Sequence, residues 1–388
     1  MLRRVLDVMT AVRPLCVLQV VPELSTGGVE RTTIEVAEGI VQAGGRALVA
    51  SEGGQLEDRL TAVGGEFFRL PLATKNILTA WRNAGRLAAI ARVEGVTIIH
   101  ARSRAPAWSA RIAARRLGLP FVTTFHGAYN ESNALKKLYN SVMASGDLVI
   151  ANSGFTADLV KTRYGTDPAR VVTIPRGVDF DIFQRGPDAA KGRAPHPAID
   201  PDGGVAFLLP ARLTRWKGQE LAIEACRLLL ERGVRTFQLV IAGSDQGRSD
   251  YTAGLLARIS AGGLEHHVKL VGDVRDIAAA YAGVDYVLVP SLEPEAFGRT
   301  AVEAQAMGRP VIASNIGAPV ETVINGETGW QFEAGNAEAL ADAMATAIGT
   351  DAATYARMSD SAWRHVSQLY RASTMVASTL AVYARLLA

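Results

Sequence analysis

Short β-branched runs alternate with longer amphipathic stretches along almost the whole chain. LCVLQVV, RALVAS, TIIH, FVTTF, LVIANS and VVTIP have the length and branching of buried strands. Between them lie alanine-rich segments with apolar positions at helical spacing, such as VERTTIEVAEGIVQAG and NILTAWRNAGRLAAIARVEG. This alternation predicts parallel strands joined by right-handed crossovers, a doubly wound α/β sheet. Near residue 184 the pattern stops. QRGPDAAKGRAPHPAIDPDGG holds four prolines and four glycines and reads as a linker. The alternation restarts with VAFLLPA, FQLVIAG, HVKLVG, DYVLVP and PVIAS, and two helical segments follow, with a junction near SQLYRAS. The pattern predicts two Rossmann-like domains, residues 1–183 and 184–371. Ligands of such sheets sit at the carboxyl ends of the strands, and two halves facing each other would form a deep interdomain cleft.

Composition narrows the class. The 388 residues are 48% apolar and 20% charged, which suits a globular α/β protein. No apolar run approaches the roughly 18 residues that span a bilayer. Asp7, Arg13 and Pro14 interrupt any signal-peptide core. Cys16 and Cys226 lie far apart in apolar contexts and make no disulfide framework, so a reducing cytoplasm is expected. The charge is uneven. Residues 1–180 hold 22 Lys/Arg against 15 Asp/Glu, and the remainder 19 against 23. Residues 75–137 carry 11 Lys/Arg against Glu94 and Glu131 alone. That band is either a set of solvated helix faces or a surface for an anionic partner. No nucleic-acid-binding module accompanies it, so nucleic acid is not the expected partner.

The candidate chemistry falls at predicted strand ends. After LCVLQVV, Thr26-Gly27-Gly28 turns into a helix. Its glycines permit positive φ and close approach, and the helix start offers amides to an anion. The segment is neither G-x-G-x-x-G nor a P-loop, so taken alone it is better read as a plain tight turn. Arg212 and Lys217 follow VAFLLP, where a fork and a point charge suit a diphosphate; two surface cations are the alternative. His126 ends FVTTF, and Arg176 with Gly177 ends VVTIP. The backbone of Gly272, Asp273 and Val274 lies where it could read a nucleobase edge; a plain strand-to-helix connection is the alternative. In EPEAFGRTAVEAQAMGRPV, Glu295 falls in a loop closed by Phe297 and Gly298. A helix is predicted from Arg299 or Thr300, with Glu303 on its first or second turn. The amides of Gly298, Arg299 and Thr300 then form an anion-binding helix start. A glycosidase reading of the two glutamates fits less well. Eight helical residues span about 12 Å, against roughly 5 Å for a retaining carboxylate pair and 6.5–9.5 Å for an inverting one.

The order of the signals is more specific than any one of them. STGGVE, FHG, IPRGVD, ARLTRWKG and PEAFGRTAVEAQAMGRPVIASNIGAPVE together resemble the retaining GT-B glycosyltransferases of family 4. The resemblance covers nearly the whole chain and is strongest over residues 205–335. It implies a nucleotide-diphospho-sugar donor, UDP- or GDP-linked, held mainly by the second domain. The position matching Glu303 would hold the ribose hydroxyls, and that matching Glu295 would lie beside the donor sugar. Arg212 and Lys217 match cations on the diphosphate, Gly27 and Gly28 a donor-approaching loop, and His126 a histidine reaching a sugar hydroxyl. No metal or other cofactor is implied, and residues 372–388 would cross back onto the first domain. One departure stands out: Arg176 occupies a position where many relatives carry asparagine.

The implied reaction is sugar transfer with retention to a hydroxyl of a glycan or lipid-linked acceptor, in cell-envelope lipopolysaccharide or polysaccharide synthesis. Arg102 and Arg104, after a first-domain strand, are candidate acceptor contacts with Arg176. Arg111, Arg115, Arg116, Lys136 and Lys137 could rest on the anionic inner face of the plasma membrane. Two rivals share the fold: a nucleotide-sugar epimerase and a non-catalytic nucleotide-sugar-binding protein. A glycogen-synthase-like polymerase fits less well, because STGGVE has no lysine before its glycines.

Overall fold

In a computed structural model, the structure describes residues 14–388 except 26, 75, 128, 130–132 and 191. The chain divides into two compact units, one running to Gly177 and taking back Ala372–Ala388, the other Val178–Arg371. Each is a parallel sheet with helices on both faces, so the expected α/β class of two Rossmann-like sheets is the one observed.

The first unit has seven strands: β1 Cys16–Val20, β2 Arg46–Ser51, β3 Glu66–Arg69, β4 Ile98–Ala101, β5 Phe121–Phe125, β6 Leu148–Ala151 and β7 Val171–Thr173. Their order is β3-β2-β1-β4-β5-β6-β7, with β1 between β2 and β4. Its helices are α1 Gly28–Gln42, α2 Glu57–Ala62, α3 Ile77–Val93, α4 Arg104–Leu117, α5 Ala134–Ser141 and α6 Gly154–Tyr164. The second unit has β8 Val205–Pro210, β9 Phe237–Ala242, β10 Val268–Gly272, β11 Tyr286–Val289, β12 Val311–Ser314 and β13 Gly329–Phe332, in the order β10-β9-β8-β11-β12-β13. Its helices are α7 Gln219–Glu231, α8 Ser249–Ala261, α9 Ile277–Ala282, α10 Arg299–Ala306, α11 Pro319–Thr322, α12 Ala337–Ile348 and α13 Ala352–Leu369. The last helix, α14 Ala372–Leu387, belongs to the first unit.

Near-continuous apolar strands are what a sheet covered on both faces requires. Leu18, Val20, Leu48 and Ile99 pack into one layer and Val17, Val49, Ile98 and Val122 into the other. In the second unit Phe207, Leu209 and Ile241 face one way, and Ala206, Leu208 and Val240 the other. α14 covers the first sheet through Met375, Leu380 and Tyr383. The Tyr383 hydroxyl lies 2.6 Å from His100 Nδ1 and ties this distant segment to β4.

Three features differ from expectation. β3 (EFFR) and β13 (GWQF) were not foreseen; both are four-residue edge strands without a β-branched run. The division between units falls at Gly177 rather than residue 183, because the Val178 N–H donates to Tyr370 O and Phe183 packs into the second unit's core.

Candidate active site

In each sheet the strand order reverses beside its first strand, and the loops leaving the carboxyl ends at that point are the natural ligand position. In the second unit these loops follow β8 and β11, and with the helix starts they lead into they carry most of that unit's candidate residues.

After β8 the chain passes through Arg212 and Leu213 into a short 3-10 turn, Arg215–Lys217. Leu213 is buried and its N–H donates to Ser244 O, while buried Gln219 donates Nε2 to Arg212 O at 2.9 Å. Gly218 caps α7 at φ +76°, and a Cβ there would collide with the Pro290 carbonyl oxygen. Only glycine lets this loop close against the end of β11. The closure brings Lys217 Nζ to 2.7 Å from Glu295 Oε1, with side chains 14% and 10% exposed. Ser291 Oγ donates to the same oxygen. Among the described residues no hydrogen bond reaches Glu295 Oε2, which is left to accept from a ligand. The Lys217 ammonium also lies 4.2 Å from the centre of the Trp216 ring, a cation–π contact. Arg212 is exposed and makes no side-chain hydrogen bond or ion pair among the described residues.

The Glu295 backbone bridges to Gly317 and accepts from the Ala318 N–H at 2.9 Å. Gly298 then turns the chain at φ +75° into α10. Glu303, five residues into the helix by sequence, accepts from Arg299 Nε at 3.1 Å on one oxygen and from the Tyr281 hydroxyl at 3.2 Å on the other. Burial, reinforced by the Glu303 charge, holds the Tyr281 phenol well above its usual pKa, so it stays a protonated donor. The side chains of Arg299 and Thr300 are engaged within the unit, Thr300 Oγ1 donating to Pro210 O. What this segment offers a ligand is the set of amides at the α10 start.

The Phe297 side chain is 4% exposed and packs on Tyr370, so it is part of the core, and only the backbone of Phe297 is left to meet a ligand. Gly272 O accepts from the Gly243 N–H, Val274 is partly buried against the core, and Asp273 is exposed. No bond joins these three to either glutamate among the described residues.

The first unit carries a separate cluster. Arg176 Nη2 donates to His126 Nδ1 at 2.8 Å, joining two predicted residues. His126 is partly exposed as a residue, yet its Nε2 is shut off from solvent and has no partner among the described residues. Burial pushes its pKa well below 6.5, and Arg176, Arg102 and neighbouring His100 push the same way. Arg102 is corrected. It does not face outward for an acceptor, but is 2% exposed and donates Nε to Gln19 Oε1 at 2.7 Å, beside Tyr383. Arg104 donates to Asn140 Oδ1 at 3.0 Å and stacks over the Tyr129 ring. The two arginines follow the central strand β4, so packing against β1, α5 and α14 uses groups that polarity alone assigns to solvent.

Gly27 caps α1 at φ −78°, so the turn does not use the left-handed backbone that glycine permits. A Cβ there would instead strike the Glu30 carboxylate, which folds back over the helix start. Thr26 lies outside the described residues. Sequence reasoning missed Ser291 and Tyr281, the partners that fix the two glutamates. Ser291 had a visible signal, a hydroxyl directly after a strand and four residues before Glu295. Tyr281 is the only polar-tipped residue in IAAAYAG.

Residues 26–182 match the family model Glycosyltransferase Family 4, and residues 198–364 match Glycosyl transferases group 1. The D-inositol 3-phosphate glycosyltransferase of Corynebacterium glutamicum is 29% identical over 63% of this chain and 59% of its own length. The chain thus matches less than two thirds of that relative. A glycosyltransferase of Rickettsia africae is 34% identical, with a TM-score of 0.85 over 97% of this chain and 99% of its own. Anabaena HepE, solved with UDP and glucose, shares the fold at 22% identity, with a TM-score of 0.80 over 96% of this chain and all of its own. The family models on both halves and the near-complete match to the Rickettsia protein show that the chain belongs to the group 1 glycosyltransferases.

Proposed function

We propose that the protein transfers a sugar from a nucleotide-diphospho-sugar to an acceptor hydroxyl, with retention at the anomeric carbon. The Lys217–Glu295 pair carries this reading, since it stands at the switch-point loops beside the α10 helix start. The anomeric C–O bond to diphosphate breaks while the acceptor oxygen bonds to the same face. The acceptor proton passes to a leaving phosphate oxygen. Arg212, Lys217 and the α10 amides meet the charge growing on the leaving group, the interaction that lowers the barrier most. In this scheme they do so without a metal ion. Glu295 Oε2 accepts from a donor-sugar hydroxyl. Glu303, with two lone pairs on each oxygen and one donor on each, retains capacity for the ribose diol.

For the acceptor we propose a glycan or lipid-linked molecule of cell-envelope synthesis, met at the cytoplasmic face of an anionic membrane. The first unit supports this with an apolar set inside the basic band. Ile77, Leu78 and Trp81 on α3 and Leu135 and Leu138 on α5 are exposed, near exposed Arg115, Arg116, Lys136 and Lys137. Arg116 lies over the Trp81 ring, and α4 joins the two helices through Ser109 and Trp108. No helix among the described residues is long and apolar enough to cross a membrane. The Corynebacterium relative's name favours a second reading, a small phosphorylated polyol acceptor.

A thermal-shift screen of UDP-, GDP- and ADP-sugars tests the donor, because a ligand of the native state raises its apparent stability. Product anomeric configuration by NMR tests retention. An epimerised donor formed without acceptor favours the epimerase rival. Binding with no nucleoside diphosphate released, for any acceptor, leaves a binding protein.

A further inference from the structure

We propose that Arg176 is a positioning residue that holds His126 as the neutral tautomer protonated on Nε2, presenting that N–H to a substrate hydroxyl. The substrate's nature rests on the sugar-transfer reading; the tautomer does not. A guanidinium only donates and stays charged. At 2.8 Å from Arg176 Nη2, His126 Nδ1 must therefore accept, and the single ring proton lies on Nε2. A doubly protonated ring would set N–H against N–H. Among the described residues, the charged and titratable neighbours acting on the ring are Arg176, Arg102 and His100, with no carboxylate among them.

Nε2 is excluded from solvent and finds no acceptor among the described residues. A buried donor left unpaired is costly, and groups that remain so are commonly functional. His100 in the same unit gives the contrast. Its two nitrogens meet Tyr383 and Thr124, and neither is left for a ligand. The Arg176 reach is set by the sheet. His126 follows β5 and Arg176 follows β7, with β6 between them, so the two side chains together bridge the equivalent of two strand spacings, roughly 9–10 Å. Its segment is anchored by buried Ile174, whose N–H donates to Ala151 O at 2.8 Å.

Long-range proton–nitrogen NMR of the histidine rings in the full chain, assigned with His126→Gln, tests this directly. The wild-type ring is expected as the Nε2–H tautomer at pH 7 and neutral well below pH 6.5. Arg176→Met should mix the tautomers and move the titration up toward 6.5, and Arg176→Lys, which restores a donor, should reverse part of that shift. In turnover, Arg176→Met should lower kcat/KM roughly tenfold, as loss of an orienting partner does. The His126→Ala/Arg176→Met double variant should be no slower than His126→Ala alone. An Nδ1–H tautomer or an imidazolium at pH 7 in the wild type overturns the proposal, as do losses that multiply in the double variant. If no donor is turned over while the spectra show the Nε2–H ring, the transfer reading fails and the tautomer assignment stands.

Discussion

Replace Lys217 by alanine, and Glu295 keeps Ser291 as its only side-chain partner among the described residues. Two unit charges roughly 3–4 Å apart attract by about 4–5 kcal/mol at an effective dielectric near 20. With side chains 14% and 10% exposed, desolvation returns much of that gain. The net stability loss should be about 1–2 kcal/mol, a fall in Tm of roughly 2–8 °C for a unit of this size. Turnover should suffer more, because the ammonium is a fixed donor toward the leaving diphosphate: kcat should drop about 10²–10³-fold, roughly 3–4 kcal/mol of barrier. Steady-state release of nucleoside diphosphate, beside thermal unfolding of the same preparation, separates the two losses. Lys217→Arg should recover stability before activity, since a planar fork cannot reproduce a compact point charge. A folded Lys217→Ala protein with kcat within about threefold of wild type would refute the assignment. Equal losses in Lys217→Ala and Lys217→Arg would point to geometry at Glu295 rather than charge on the diphosphate.

The other predictions concern the nucleotide, the metal, pH and the membrane. Glu303→Ala should weaken nucleoside-diphosphate binding by about tenfold or more, about 1.4 kcal/mol in calorimetry, and unchanged affinity removes the ribose role. Turnover should survive exhaustive chelation; loss restored by a divalent cation would show that Arg212 and Lys217 do not suffice. His100 and His126 have folded pKa values well below 6.5, so below that pH the unfolded chain binds protons that the fold does not. Stability should be full above about pH 6.5 and fall by roughly 1 kcal/mol per histidine by pH 5.5. Denaturation midpoints check this, and a midpoint that rises on acidification contradicts the buried neutral rings. Anionic vesicles should sediment the protein at low salt and release it at high salt, with Trp81→Ser and Leu135→Ser weakening the low-salt binding. No binding at low salt counts against the membrane face.

Much of the second unit's candidate site is legible in the sequence because it depends on local chemistry. Gly298 before the α10 start, Glu303 within it and Lys217 at a strand-to-helix turn are visible from turn residues and periodicity alone. The first unit is less legible. Arg102 and Arg104 read as candidate acceptor contacts, yet Gln19, Asn140 and Tyr129 take them up from elements distant in sequence. Phe297 reads as a loop aromatic and proves to be core because Tyr370 arrives beside it. Edge strands β3 and β13 escape because half-exposed four-residue strands need little branching.

By itself, then, the sequence determined the alternation of strands and helices, the two parallel sheets, and the strand ends where charged residues collect. These follow from periodicity, which acts over a few residues. Tertiary structure decided which charges meet: Lys217 with Glu295 and Arg176 with His126, 78 and 50 residues apart in sequence. Such pairings depend on strand order, and strand order is set by how whole layers pack rather than by any short stretch of chain.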